Sequence, residues 1–318
     1  MARYSIVSLM QVPEEDHDLD WLKRALQAAI TLELATLPPY LCAAWSIDES
    51  GTQASRLIQS VFMEEMLHMG LACNMLTTIG GDPKVTGEEF VPKYPGPLPG
   101  DVRPELTVYL AGLSKDILQD VFMEIEYPED GPIARFATEE YRTIGAFYTA
   151  IAGAFKKLPP GSITGQRQIA GPLGLFAIKT TEDAEKAIKT IKEQGEGTSQ
   201  SPKSGDDMAH YYKFAEIFHG RRLIEKDGKW VYEGDAIPFP KVLPVAKEPW
   251  GGYPDESRDF DKTYSKLLRE LEEAWTTTLN LSPAIGTMYD LEGPARELMK
   301  KTLPSGGGNY GPSFLWVA

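Results

Sequence analysis

Val61-Phe62-Met63-Glu64-Glu65-Met66-Leu67-His68-Met69-Gly70-Leu71-Ala72 decides how the rest of the chain is read. Leu57, Val61, Ala72 and Met75 recur at helical spacing, and Glu65 and His68 fall on the same stripe. Two polar groups therefore stand in for two core positions one turn apart. A buried, unpaired carboxylate must shift its pKa or find a cation. Glu-x-x-His lets both side chains reach one metal, and a carboxylate on a neighbouring helix supplies the next ligand.

Working outward, the neighbour is the segment Trp21 to Ile47, where Leu22, Leu26, Ile30 and Leu37 predict a long helix. The polar turn Asp48-Glu49-Ser50-Gly51-Thr52 joins it to a second helix, Gln53 to Ile79, and is short enough to make the two antiparallel. Glu33 lies on the apolar stripe of the first helix, so its carboxylate points at the core. Pro38 and Pro39 predict a kink about one turn beyond it.

All four histidines have an acid three residues earlier: Glu14 before His17, Glu65 before His68, Asp207 before His210 and Glu216 before His219. The spacing alone sorts nothing, but position on an apolar stripe does. His17 sits in the charged run Glu14-Glu15-Asp16-His17-Asp18 and reads as solvated. His219 ends a helix beside Gly220, about half a turn around from His210. Asp207 and His210 align with Phe214 and Ile217 on a helix read from Asp206 to His219, repeating the arrangement of Glu65 and His68. Glu33, Glu65, His68, Asp207 and His210 are thus the candidate ligands. Three acids compete to complete the set: Glu126 before Pro128, Glu140 in line with Ile144, Phe147 and Ile151, and Glu196 between two glycines.

The remaining segments predict further helices at Ser114 to Tyr127, Phe136 to Lys157, Glu182 to Gln194, Ser257 to Thr277 and Pro283 to Lys301. A small hairpin is expected within Leu223 to Ile237, and a Pro- and Gly-rich ordered loop at residues 82–103. No composition shift marks a boundary, so residues 1–318 read as a single, mainly α domain: a helical bundle with C-terminal elaborations. Cys42 and Cys73 both fall in apolar helical patterns, where a thiol is a small core hydrophobe; this fits a reducing, cytoplasmic setting. Neither an export signal nor a membrane-spanning run is expected. Asp plus Glu is 46 against 32 Lys plus Arg, a net charge of −14 that argues against nucleic acid and anionic membranes as partners.

The segments Leu32-Glu33-Leu34-Ala35-Thr36-Leu37-Pro38-Pro39-Tyr40-Leu41, Glu64-Glu65-Met66-Leu67-His68-Met69, Gln194-Gly195-Glu196-Gly197, His210-Tyr211-Tyr212-Lys213-Phe214 and Gly311-Pro312-Ser313-Phe314 carry a resemblance over nearly the whole chain. Together they resemble the ferritin-like domain family that includes the iminophenylpyruvate dimer synthase type. The resemblance implies a bundle with a di-iron site, in proteins of specialised metabolism that oxidise or couple amino-acid-derived compounds. It raises Glu196 above Glu140 and keeps Glu126 in contention. It also implies that Asp207 stands where the family often has Glu, and that Ala146 stands where some relatives carry Glu, which would deplete the site.

The expected function is that of a non-haem di-iron oxidase or oxygenase acting on a small metabolite, with manganese as the alternative metal. Its expected partners are that metabolite and dioxygen; homo-oligomerisation stays open. The rival readings are an iron-handling protein with no organic substrate and a metal-free scaffold subunit.

Overall fold

The computed structural model describes residues 5–128, 144–198 and 200–318. Its spine is an antiparallel pair, α2 (Leu19–Ser46) and α3 (Gln53–Thr78), preceded by a short α1 (Ile6–Met10). Each long helix starts on a side-chain cap: Asp18 accepts from the Trp21 amide and Thr52 from the Ser55 amide. Leu26 and Ile30 on α2 are fully buried, so truncating either to Ala would cost about 2–5 kcal/mol.

α2 runs through Pro38 and Pro39 as one continuous helix. Pro39 has no amide to offer the Ala35 carbonyl. The Tyr94 hydroxyl donates to that carbonyl instead, at 2.7 Å. A side chain from the 82–103 loop thus supplies a bond the helix lacks.

Against this pair pack α6 (Ile144–Lys157), α7 (Thr181–Glu196) and α8 (His210–His219). Another packing segment joins α4 (Lys115–Ile117), a π turn (Leu118–Phe122) and α5 (Met123–Ile125). α7 opens on the expected capping box, with Thr180 and Asp183 bonding each other's backbone. The part of the predicted Phe136-to-Lys157 helix before Ile144, Glu140 included, lies outside the described residues.

α8 begins four residues later than the sequence predicts. β1 (Lys203–Ser204) pairs antiparallel with β2 (Asp207–Met208), and the Ala209 amide donates to the Pro202 carbonyl at 2.9 Å. These bonds hold residues 207–209 extended, so His210 becomes the first helical residue. A hairpin of β3 (Ile224–Lys226) and β4 (Lys229–Val231) follows.

The C-terminal third forms α9 (Asp255–Glu273), a π turn (Ala274–Thr278), α10 (Ser282–Asp290) and α11 (Glu292–Leu298). The tail lies along α9. The Ser313 hydroxyl and Leu315 amide donate to Asp261, the Val317 amide to Ser265 Oγ, and Arg269 to the Val317 carbonyl. Among the described residues, no helix is long and apolar enough to cross a membrane.

Candidate metal centre

Glu33 comes from α2, Glu65 and His68 from α3, Glu126 from the residue that caps α5, and His210 from the first position of α8. Glu33, Glu65, His68 and His210 are all at most 5 % exposed. Their ligand atoms form two groups that share Glu65: Glu33, Glu65 and His68 on one side, and Glu65, Glu126 and His210 on the other. Within each group the atoms lie within 4.8 Å of one another.

The three carboxylates follow one rule: one oxygen is held by a hydroxyl and the other faces imidazole. Tyr148 donates to Glu33 Oε1, leaving Oε2 at 3.8 Å from His68 Nδ1. Tyr40 donates to Glu126 Oε1 at 2.5 Å, leaving Oε2 at 3.4 Å from His210 Nδ1. Thr36 donates to Glu65 Oε2 at 2.8 Å, leaving Oε1 at 3.5 Å from His68 Nδ1 and 2.8 Å from His210 Nδ1. A single oxygen therefore faces both rings. The rings lie 5.4 Å apart at 21°.

Each histidine turns Nδ1 inward and ties Nε2 to an outer partner, as a ligating imidazole requires. His68 Nε2 meets Gln194 Oε1 at 2.9 Å, and His210 Nε2 meets Glu64 Oε2 at 2.8 Å. Lys213, 1 % exposed, bonds both Glu64 oxygens and Asp207.

The charges call for a cation. Lys213 answers Glu64, but among the described residues the only basic groups beside Glu33, Glu65 and Glu126 are imidazoles. Burial and the facing charge of Glu65 lift Glu33 well above the ordinary carboxylate range, although Tyr148 opposes the shift. Burial and Glu65 likewise raise Glu126, against the pull of His210 and Tyr40. Burial also acts to raise Glu65, but its contacts with His210 and His68 outweigh that and hold it low. Burial opposes a proton on His210, yet Glu126, Glu64 and Glu65 together raise its pKa well above the usual histidine value. Without metal, protons take up the positive charge that the cluster demands.

His210 Nδ1 tests the fit directly. It is buried without a hydrogen-bond partner, 2.8 Å from Glu65 Oε1 and 3.4 Å from Glu126 Oε2. An imidazole nitrogen aimed into a ring of carboxylate oxygens is a ligand position once a metal displaces its proton. The donor set of two imidazoles and three carboxylates suits iron or manganese.

Two sequence candidates stand outside both groups. Asp207 lies in β2 with its side chain 64 % exposed and bonded to Lys213; because α8 starts after it, the helical i, i+3 register with His210 does not exist. Glu196 ends α7, half-buried, and it is Gln194 two residues earlier that touches His68. His17, expected in solvent, is 8 % exposed and stacks on Trp21 at 3.7 Å, since α1 and the loop after it fold back over α2. His219 stacks on Tyr232 at 4.1 Å and belongs to neither group.

Sequence reasoning assigned no role to Glu64, Gln194, Lys213, Thr36, Tyr40 or Tyr148. Glu64 carried a local signal, an acid beside Glu65 on a largely apolar helix about 100° off the stripe, and Thr36, Tyr40, Gln194 and Lys213 lie within the segments that carry the resemblance.

A model of the ferritin-like family matches residues 26–219, so α9 to α11 and the tail lie beyond the matched region. No curated protein matches the chain. Among solved structures, a ferritin like protein from Caulobacter vibrioides is 22 % identical, with a TM-score of 0.65; the match covers 91 % of this chain and 97 % of that one. At that identity the likeness shows the fold alone, a mainly α bundle.

Proposed function

This chain belongs to the ferritin-like family, and on that premise we propose that it is a non-haem dinuclear metalloenzyme that oxidises or oxygenates a small, amino-acid-derived metabolite. Within the family, the reading assigns it to the iminophenylpyruvate dimer synthase type. The observation that carries the dinuclear part is Glu65 Oε1, which faces the Nδ1 atoms of both His68 and His210. Glu65 would be held in common by the two metals, with Glu33 and His68 holding one and Glu126 and His210 the other.

A bound pair of irons would supply the redox chemistry on dioxygen. The chain's own part is positional and electrostatic. Thr36, Tyr40 and Tyr148 each fix one carboxylate oxygen and leave the other free to ligate. Gln194 and Glu64 fix the ring orientations of His68 and His210. Lys213 holds Glu64 in place and neutralises it. The apolar surroundings exclude water: Phe122, Phe147 and Phe214 are fully buried, and two of them pack on Tyr40.

The reading is tested with iron-loaded protein, washed free of loose metal, in an oxygen electrode against a panel of amino-acid-derived compounds. The expected result is about two irons per chain and oxygen uptake that requires one of those compounds. Uptake that follows added ferrous iron alone would replace the enzyme by an iron-handling protein. Failure to take up metal under anaerobic ferrous loading would leave a scaffold.

A further inference from the structure

The α2–α3 hairpin carries the ligand cluster on one face and a cavity on another. Leu34 follows Glu33 and Met66 follows Glu65, each about 100° further around its helix. Both line a space between the hairpin and the C-terminal helices, partly open to solvent, whose interior of about 70 Å³ exceeds the roughly 10–15 Å³ that one water needs.

Its walls are leucine, isoleucine, methionine, alanine, proline and aromatic side chains, with no charged group. The Trp275 indole N–H is taken by Asn74 Oδ1 at 2.8 Å. The Tyr264 hydroxyl is buried without a hydrogen-bond partner. Water needs two to four polar partners to stay in such a place, and the walls do not provide them. An apolar occupant loses nothing there.

The backbone around the cavity adds a second observation. Leu173 (φ 57°) and Phe314 (φ 50°) both line it, and both adopt the left-handed conformation that bulky residues avoid. Trp275 reaches the wall from the π turn Ala274–Thr278, which ends at Leu279, again left-handed at φ 52°. Such conformations persist only where the surroundings impose them, and they gather where a chain binds something. Asp261 does the imposing at Phe314, gripping Ser313 and Leu315 on either side.

We propose that this cavity is a binding site for an apolar small molecule, a hydrocarbon chain or unsubstituted aromatic ring, separate from the metal centre. Met66, Met69 and Met288 give it adaptable walls. The site stands whether or not the cluster binds metal, since no ligand residue lines it.

Bromobenzene is a suitable probe because its heavy atom quenches a tryptophan it touches. The full chain is titrated with it and tryptophan fluorescence followed. Saturable quenching of part of the signal is expected, absent in Trp275→Phe. Ala284→Phe, which fills the cavity, is expected to weaken binding at least about tenfold, with circular dichroism and metal content as in the native protein. Should that variant not fold, Ala284→Leu removes less of the space and is expected to weaken binding about threefold. Quenching that rises linearly with concentration, or saturable quenching equal in the native and filled proteins, would overturn the site.

Discussion

The two halves of the cluster use the same residue types and are built on different foundations. Glu33 and His68 sit well inside α2 and α3, and Glu33 is fastened by Tyr148 from α6. Glu126 and His210 sit at element ends: one caps α5 after a π turn, the other opens α8. Their outer partners differ too. Gln194 is neutral, whereas Glu64 is a carboxylate tied to Lys213. A charged partner makes an imidazole more basic, so His210 would be the stronger donor to a bound metal although its scaffold is the more local one. In this cluster the fold supplies rigidity to one half and electrostatics to the other.

The largest effect would come from removing what the halves share. Glu65→Ala is expected to take metal content from about two per chain to nearly none, because both groups lose their common oxygen. Retention of one full equivalent after ferrous loading would show that the halves are independent and that Glu65 does not bridge. Next come His68→Ala and His210→Ala, each expected to leave about one metal per chain. If either variant lost both metals while keeping native circular dichroism, the comparison would fail.

A smaller effect separates the outer partners. Glu64→Gln removes the charge behind His210 and leaves Lys213 without its main counterion; metal affinity on that side is expected to fall about 10–100-fold. Gln194→Ala is expected to cost less, since a neutral hydrogen bond is lost. Competition against a chromophoric chelator would rank the two, and the reverse order would remove the electrostatic distinction.

The smallest effect lies outside both halves and marks where the comparison ends. Burial pushes Glu248 up to about 7, against the hydrogen bond from Tyr253. Between the usual carboxylate pKa and that value the unfolded chain sheds a proton that the folded chain keeps, so stability falls as pH rises. With partial screening allowed for, the loss is about 2 kcal/mol. Urea unfolding of metal-free native protein and Glu248→Gln at about pH 5 and about pH 8 measures it: the variant should show a difference smaller by about that amount, without a change in metal content. An unchanged slope in that variant would place the titration elsewhere.

Much of this was legible in the chain because helical periodicity is a local signal. Both spine helices start and stop within two residues of where their apolar stripes predict, and Glu33, Glu65, His68 and His210 lie on inward stripes and are buried. Asp207 shows the limit. Its stripe was read through a helix that the backbone does not form, because the β1–β2 pairing and the Ala209–Pro202 bond keep residues 207–209 extended. The apolar cavity had no sequence signature, since its leucines and methionines look like any core.

By itself, then, the sequence determined the helices, the bundle and the inward faces of four ligand candidates, because those depend on spacing within one element. Tertiary structure decided which elements meet. It brought Glu126 rather than Glu196 or Asp207 into the ligand groups, set Gln194 and Glu64 behind the two imidazoles, and buried Lys213 against Glu64. These residues sit at helix ends or come from segments far apart in the chain. Their meeting depends on long-range packing and on where each helix is interrupted, and neither is written in local periodicity.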